Sequence, residues 1–145
     1  MKKLALFLSG VLCTSMVILS CNTAPKTDPF AALTSNTWML ETMEGKEVDS
    51  TSFARGVPYL DFDAEEMHVS GFAGCNRVTG GFAVEDKNGI NLDKLATTFM
   101  ACAGVDGEAG FLSVLRTVTN FEIEEKTLKF LSEEGEVMTF VPREE

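Results

Sequence analysis

The sequence is short of most groups that carry chemistry. It has one histidine, one tryptophan and one tyrosine in 145 residues. Basic residues are outnumbered, 12 Lys and Arg against 22 Asp and Glu, for a net charge of −10. Phosphates repel a chain of that charge, which argues against nucleic acid and anionic lipid headgroups as partners and suits solubility. With His68 the only histidine, a zinc site of three or four ligands would have to recruit carboxylates. A nucleophilic Cys75 would need His68 as its base, and His68 lies seven residues upstream on the outer face of an expected strand. No glycine-rich loop is built to cradle a phosphate, and no serine stands in a glycine elbow. Carboxylates are plentiful, but Glu65-Glu66, Glu124-Glu125 and Glu133-Glu134 are adjacent pairs at turns and read as solvated hairpin ends. No catalytic residue, metal ligand or cofactor site is therefore assigned, and the chain is expected not to be an enzyme. There is also no internal repeat and no low-complexity segment.

What is present begins at the N-terminus. "MKK" is a short basic start, and "LALFLSGVLCTSMVILS" is apolar and uncharged, the layout of a secretory signal peptide. The run is short for a membrane span, which needs about 20 residues, and no basic stop-transfer flank follows. It closes on "ILSC", Ile18 to Cys21, which resembles the bacterial lipoprotein signal, with Ile18 where leucine is more usual. Residues 1–20 are read as the signal and Cys21 as the lipidated first residue of the mature protein. Cleavage there removes Lys2 and Lys3 and takes the net charge from −10 to −12. Lipidation makes the chain anchored to a membrane rather than spanning it. Asn22 after the cysteine favours the outer membrane, by resemblance to lipoprotein sorting. Residues 21–33, with Pro25 and Pro29, read as a linker reaching roughly 40 Å if extended.

From 34 to 145 the chain has the length and the apolar content of one globular domain. Its pattern is mostly of period two. Trp38 and Leu40 alternate with Met39 and Glu41, Leu60 and Phe62 with Asp61 and Asp63, and Met67 and Val69 with His68 and Ser70. These are half-buried strands. Hairpins are expected across "DAEE", across "KNG" with Asn88-Gly89 supplying positive φ angles, and across "EEGE", and "NFEIEE" adds a strand with Phe121 and Ile123 on one face. One segment, "DGEAGFLSVLRTV", has Phe111, Leu112, Leu115 and Val118 at helical spacing, with Asp106 as cap and Glu108 in the first turn, where it favours the helix dipole. The expected fold is mostly β, a small antiparallel barrel-like sheet with one α-helix.

The stretch "GFAGCNRVTGGF" places Cys75 and Asn76 at a corner among glycines, with Gly74 at the bend and Gly80-Gly81 opening the next strand. Once Cys13 leaves with the signal and Cys21 carries lipid, Cys75 and Cys102 remain. Two cysteines in an exported chain point to a disulfide. It would close a loop of about 27 residues and contribute roughly 3.5 kcal/mol in the chain-entropy model.

These residues carry a family resemblance. "NTWMLETMEGKEV", "VPYLDFD", "MHVSGFAGCNRVTGGF", "LATTFMAC" and "LKFLSEEGEVMTFVP" together resemble the META domain, the family of HslJ-type heat-shock lipoproteins, from about Trp38 to Pro142. The resemblance implies a small antiparallel barrel-like fold with one helix, in an exported and often lipid-anchored bacterial envelope protein. It also implies a link to heat shock and to resistance against certain antibiotics, with no defining activity or cofactor. The matching motif residues are Gly74, Cys75, Asn76, Thr98, Met100, Ala101 and Cys102, and their implied role is to hold the fold. The expected function is binding of other envelope components under stress. The alternative is a barrel holding a small apolar ligand, and an interior cavity of several hundred Å³ would distinguish it from a filled one.

Overall fold

The computed structural model describes residues 28–92, 94–102 and 104–144. The expected signal peptide, Cys21 and the first part of the expected linker lie outside the described residues. Eleven strands form one antiparallel sheet: β1 Thr37–Met43, β2 Lys46–Glu47, β3 Tyr59–Asp63, β4 His68–Phe72, β5 Arg77–Gly81, β6 Ala83–Glu85, β7 Gly89–Asn91, β8 Ala96–Thr97, β9 Asn120–Glu124, β10 Thr127–Ser132 and β11 Gly135–Pro142. The order across the sheet is β6-β7-β9-β10-β11-β1-β3-β4-β5-β8, with β2 paired to β1. Helix α2 spans Gly107–Leu115, and a five-residue helix, α1, spans Pro29–Leu33. The sheet curls into a half-barrel. Only Phe82 separates β5 from β6, so one stretch of chain reaches both ends of the strand order.

The period-two reading is realised where side chains alternate between core and solvent. Trp38, Leu40, Leu60, Phe62 and Val69 are buried, while Glu41, Asp61, Asp63 and Ser70 are exposed. All three expected hairpins form: β3 with β4, β6 with β7, β10 with β11. Three local details differ. Met67 does not join Val69 in the core, because it takes a positive φ of 49° in the β3–β4 turn and stays exposed. The β6–β7 turn is a short 3-10 segment, Asp86–Asn88, in which Asn88 alone has positive φ, while Gly89 is already extended. Gly80 and Gly81 close β5 rather than open a strand. A Cβ on Gly80 would press on the Lys94 carbonyl oxygen at 2.5 Å, so the glycine serves close approach of two backbones.

The folded unit also starts earlier than Thr34. Pro29 sits in the first turn of α1 and Asp28 caps it, its carboxylate accepting from the Phe30 N–H at 3.1 Å. Leu33 is fully buried, and its carbonyl accepts from the Trp38 indole N–H at 2.7 Å. The end of the expected linker is therefore part of the core. A proline-rich stretch with one buried leucine has no periodicity to betray it.

Rings fill the interior. Phe30 stacks on Phe82 at 6.3 Å, Phe82 meets Phe62 edge-on at 5.1 Å, and Phe62 leads through Phe130 to Phe140. Phe111, Leu115, Phe121, Leu128 and Met138 are fully buried around this row. Each such side chain contributes about 1.5–3 kcal/mol by leaving water. The expected helical face holds for Phe111 and Leu115. Val118 is buried too, but beyond the end of α2.

Candidate functional site

Asn76 is the centre of a polar knot at one end of the half-barrel. It follows Cys75 at the corner between β4 and β5, and it is nearly buried, at 7% exposure. Its side-chain Oδ1 accepts from the Thr98 hydroxyl at 2.9 Å and from the Met100 backbone N–H at 2.7 Å. Its Nδ2 donates to Glu108 Oε2 at 3.0 Å and to the Met100 carbonyl at 3.3 Å. Its own backbone N–H donates to Glu108 Oε1 at 2.9 Å. Every donor and acceptor of the amide is used, which neither Asp nor Ala could reproduce. Thr98 Oγ1 also accepts from the Arg77 backbone N–H at 3.1 Å. One side chain thus ties β5, the loop after β8 and the start of α2 together.

The covalent tie runs alongside. Cys75 and Cys102 form a disulfide with Cα atoms 6.2 Å apart, inside the usual range. Cys75 is buried and Cys102 partly exposed. The bend before Cys75 needs Gly74 twice over. Its φ is +104°, and a Cβ there would drive into the Phe53 ring. A Cβ on Gly107, at the start of α2, would meet the Ser52 carbonyl oxygen and the same ring. Phe53 is held in turn by a 3-10 turn, Ser50–Ser52, whose cap Asp49 accepts from the backbone N–H and the hydroxyl of Thr51. These bonds lower the Asp49 pKa below the ordinary value.

The residues singled out from sequence separate into two groups. Gly74, Cys75, Asn76, Thr98, Met100 and Cys102 converge here. His68 does not: it stands on the outer face of β4, where its Nε2 shares a hydrogen bond with the Thr79 hydroxyl at 2.9 Å. Glu65, Glu66, Glu133 and Glu134 are exposed at hairpin turns, and Glu124 pairs with Lys129 at 2.8 Å. Among the described residues, no three His, Cys, Asp or Glu side chains approach as metal ligands would, and no helix is long and apolar enough to cross a membrane. Sequence reasoning missed Glu108 as a member of the knot. It lies 32 residues from Asn76, and its place in the first turn of α2 already had a local explanation. It also missed what the knot displays. Phe99 lies fully in solvent, and Met100 beside it is 44% exposed with its sulfur 3.8 Å from Arg55 Nη1. A phenyl ring held in water on a loop fixed at Thr98, Met100 and Cys102 is an exposed anchor of the kind that partners bury.

Comparison with known proteins accords with this architecture. A family model described as the META domain matches residues 31–145. No curated protein matches the chain. Among solved structures, one determined by NMR aligns with a TM-score of 0.60 at 21% identity, covering 79% of this chain and 96% of that one. An NMR structure of a protein from Burkholderia xenovorans aligns at 0.59 with 25% identity, covering 82% and 92%. The crystal structure of a duf4847 family protein from Bacteroides vulgatus aligns at 0.54 with 14% identity, covering 78% and 96%, a likeness of fold alone.

Proposed function

The chain belongs to the META domain family, and from that premise we propose that it is an envelope lipoprotein that acts by binding other envelope components under heat or antibiotic stress, without catalysis. The single observation that carries the binding role is Phe99, displayed in solvent on a loop locked by a disulfide and by Asn76. An aromatic side chain on a fixed loop gives up little backbone freedom when a partner covers it. The position suits an anchored protein. Helix α1, where the N-terminal segment enters the domain, packs at the Phe82 end of β5, and the knot adjoins the Arg77 end. Lipid on Cys21 would therefore hold one end of the half-barrel to the outer membrane, facing the periplasm, and leave Phe99 at the far end. The row of phenylalanine rings through the interior argues against the alternative, a barrel that stores an apolar ligand.

Rescue of a deletion strain under heat and antibiotic stress tests this reading. Wild type and His68→Ala should rescue equally. Phe99→Ser, folded and still in the membrane fraction, should not. Cys21→Ala should leave the membrane fraction, and intact mass should show acyl chains on Cys21 of the wild type only. Full rescue by Phe99→Ser would remove the binding role, loss of rescue in folded His68→Ala would reinstate histidine chemistry, and an unmodified Cys21 would remove the anchor.

A further inference from the structure

The outer face of the sheet carries a second arrangement, which adjoins the knot at Thr98. Register places Met39, Tyr59, Phe72 and Arg77 in one row across β1, β3, β4 and β5. The next outward row is Thr37, Asp61, Ser70, Thr79 and Ala96. A groove of about 630 Å³ lies over both rows and reaches Thr97 and Thr98 on one side and Arg143 on the other. The Arg143 guanidinium sits 4.4 Å from the centre of the Tyr59 ring, and Tyr59 stacks on Phe72 at 6.0 Å. Arg143 is thereby oriented by a ring, and Arg77 stands at the opposite end of the same row. Among the described residues neither arginine has a carboxylate partner, in a chain with 22 Asp and Glu. The one acid between them, Asp61, accepts from the Thr37 hydroxyl at 3.4 Å.

The geometry points to this groove as a binding site for a short acidic oligosaccharide lying across the strands. Two unpaired guanidinium groups at the ends recognise carboxylates. Between them, the hydroxyls of Ser70 and Thr79 and the Asp61 carboxylate suit sugar hydroxyls. Arg77 is two strands away from Tyr59, roughly 10 Å by strand spacing, a separation that an elongated anion can bridge while its hydroxyls meet the residues between. A single-stranded nucleic acid is also elongated and anionic, but it binds by stacking bases on free aromatic faces. Here Arg143 covers Tyr59, and Tyr59 packs on Phe72.

Titration of the purified full chain with trigalacturonate at low ionic strength tests the site, independently of anchoring and of Phe99. Binding is expected, weakening with added salt. Arg77→Gln and Arg143→Gln should each weaken it about tenfold or more, the loss of one charge-assisted contact. Galacturonate alone should bind at least tenfold more weakly than the trimer, and maltotriose should not bind. Phe99→Ser should bind like wild type, which separates this site from the partner anchor. Circular dichroism and the retained disulfide establish that each variant is folded, and Arg77→Lys, which keeps the charge on a smaller head, should fall between wild type and Arg77→Gln. Absence of trimer binding, equal binding of maltotriose or of the monomer, indifference to both arginine substitutions, or tighter binding of hexathymidylate would each overturn the assignment.

Discussion

The two halves of the molecule are held by different physics. Around β9, β10 and β11 the structure is apolar: Phe121, Leu128, Phe130, Met138 and Phe140 are fully buried, with the Phe130 and Phe140 rings edge to face. Around Cys75 it is polar and covalent: one disulfide, one amide with all its hydrogen bonds made, one carboxylate spanning two donors. The strands can bury large side chains on one face because alternation supplies them. The loop from Thr98 to Cys102 cannot, since its largest side chain, Phe99, is outside. A segment that buries little apolar surface must be ordered by bonds instead, and the knot supplies them.

Breaking each region in turn measures the contrast. Phe130→Ala should cost the most, about 3–5 kcal/mol in denaturant unfolding, from lost transfer energy and the cavity left among Phe62 and Phe140. Replacing Cys75 and Cys102 together by Ala should cost about 3.5 kcal/mol on the same assay. Asn76→Ala should cost about 2–3 kcal/mol, because Met100 N–H, Thr98 and Glu108 lose their partner. If it proves neutral with the disulfide intact, the knot is redundant and the contrast collapses to covalent against apolar. Phe99→Ser should change stability by no more than about 0.5 kcal/mol, and a larger loss would mean that the ring packs somewhere. The smallest effect is in pH. The hydrogen bonds from Thr51 depress the Asp49 pKa, so the support this cap lends Phe53 is complete above the unfolded value near 3.8 and fades as pH falls through the lower folded value. Asp49→Asn should flatten the stability profile in that acid window and nowhere else.

Legibility in the sequence followed the same divide. The apolar half announces itself, because Leu128, Phe130, Met138 and Phe140 alternate along their strands and the turn residues between them are polar. The disulfide was legible by elimination among four cysteines. Asn76 and Thr98 were legible as motif residues, but their partner Glu108 was not, since no local pattern links positions 76 and 108. Leu33 escaped because a one-turn helix has no period, and Val118 because its helical spacing carried the reading past the end of α2. Phe99 was silent for the opposite reason: a phenylalanine among threonines reads as interior until a structure shows it outside. The groove between Arg77 and Arg143 depends on β1 pairing with both β3 and β11, a tertiary fact that no window of sequence contains.

That pairing has a consequence for the order of assembly. β11 follows every other described strand in the chain, yet it lies fifth of ten in the sheet, between β10 and β1, and Thr42 bonds Thr139 across 97 residues of chain. Until β11 is in place, the polypeptide has two unjoined sheet fragments and no middle. Closing so long a loop is slow, because its entropy is lost before the contacts form. Truncation before β11 would therefore cut the sheet at its centre rather than trim its edge.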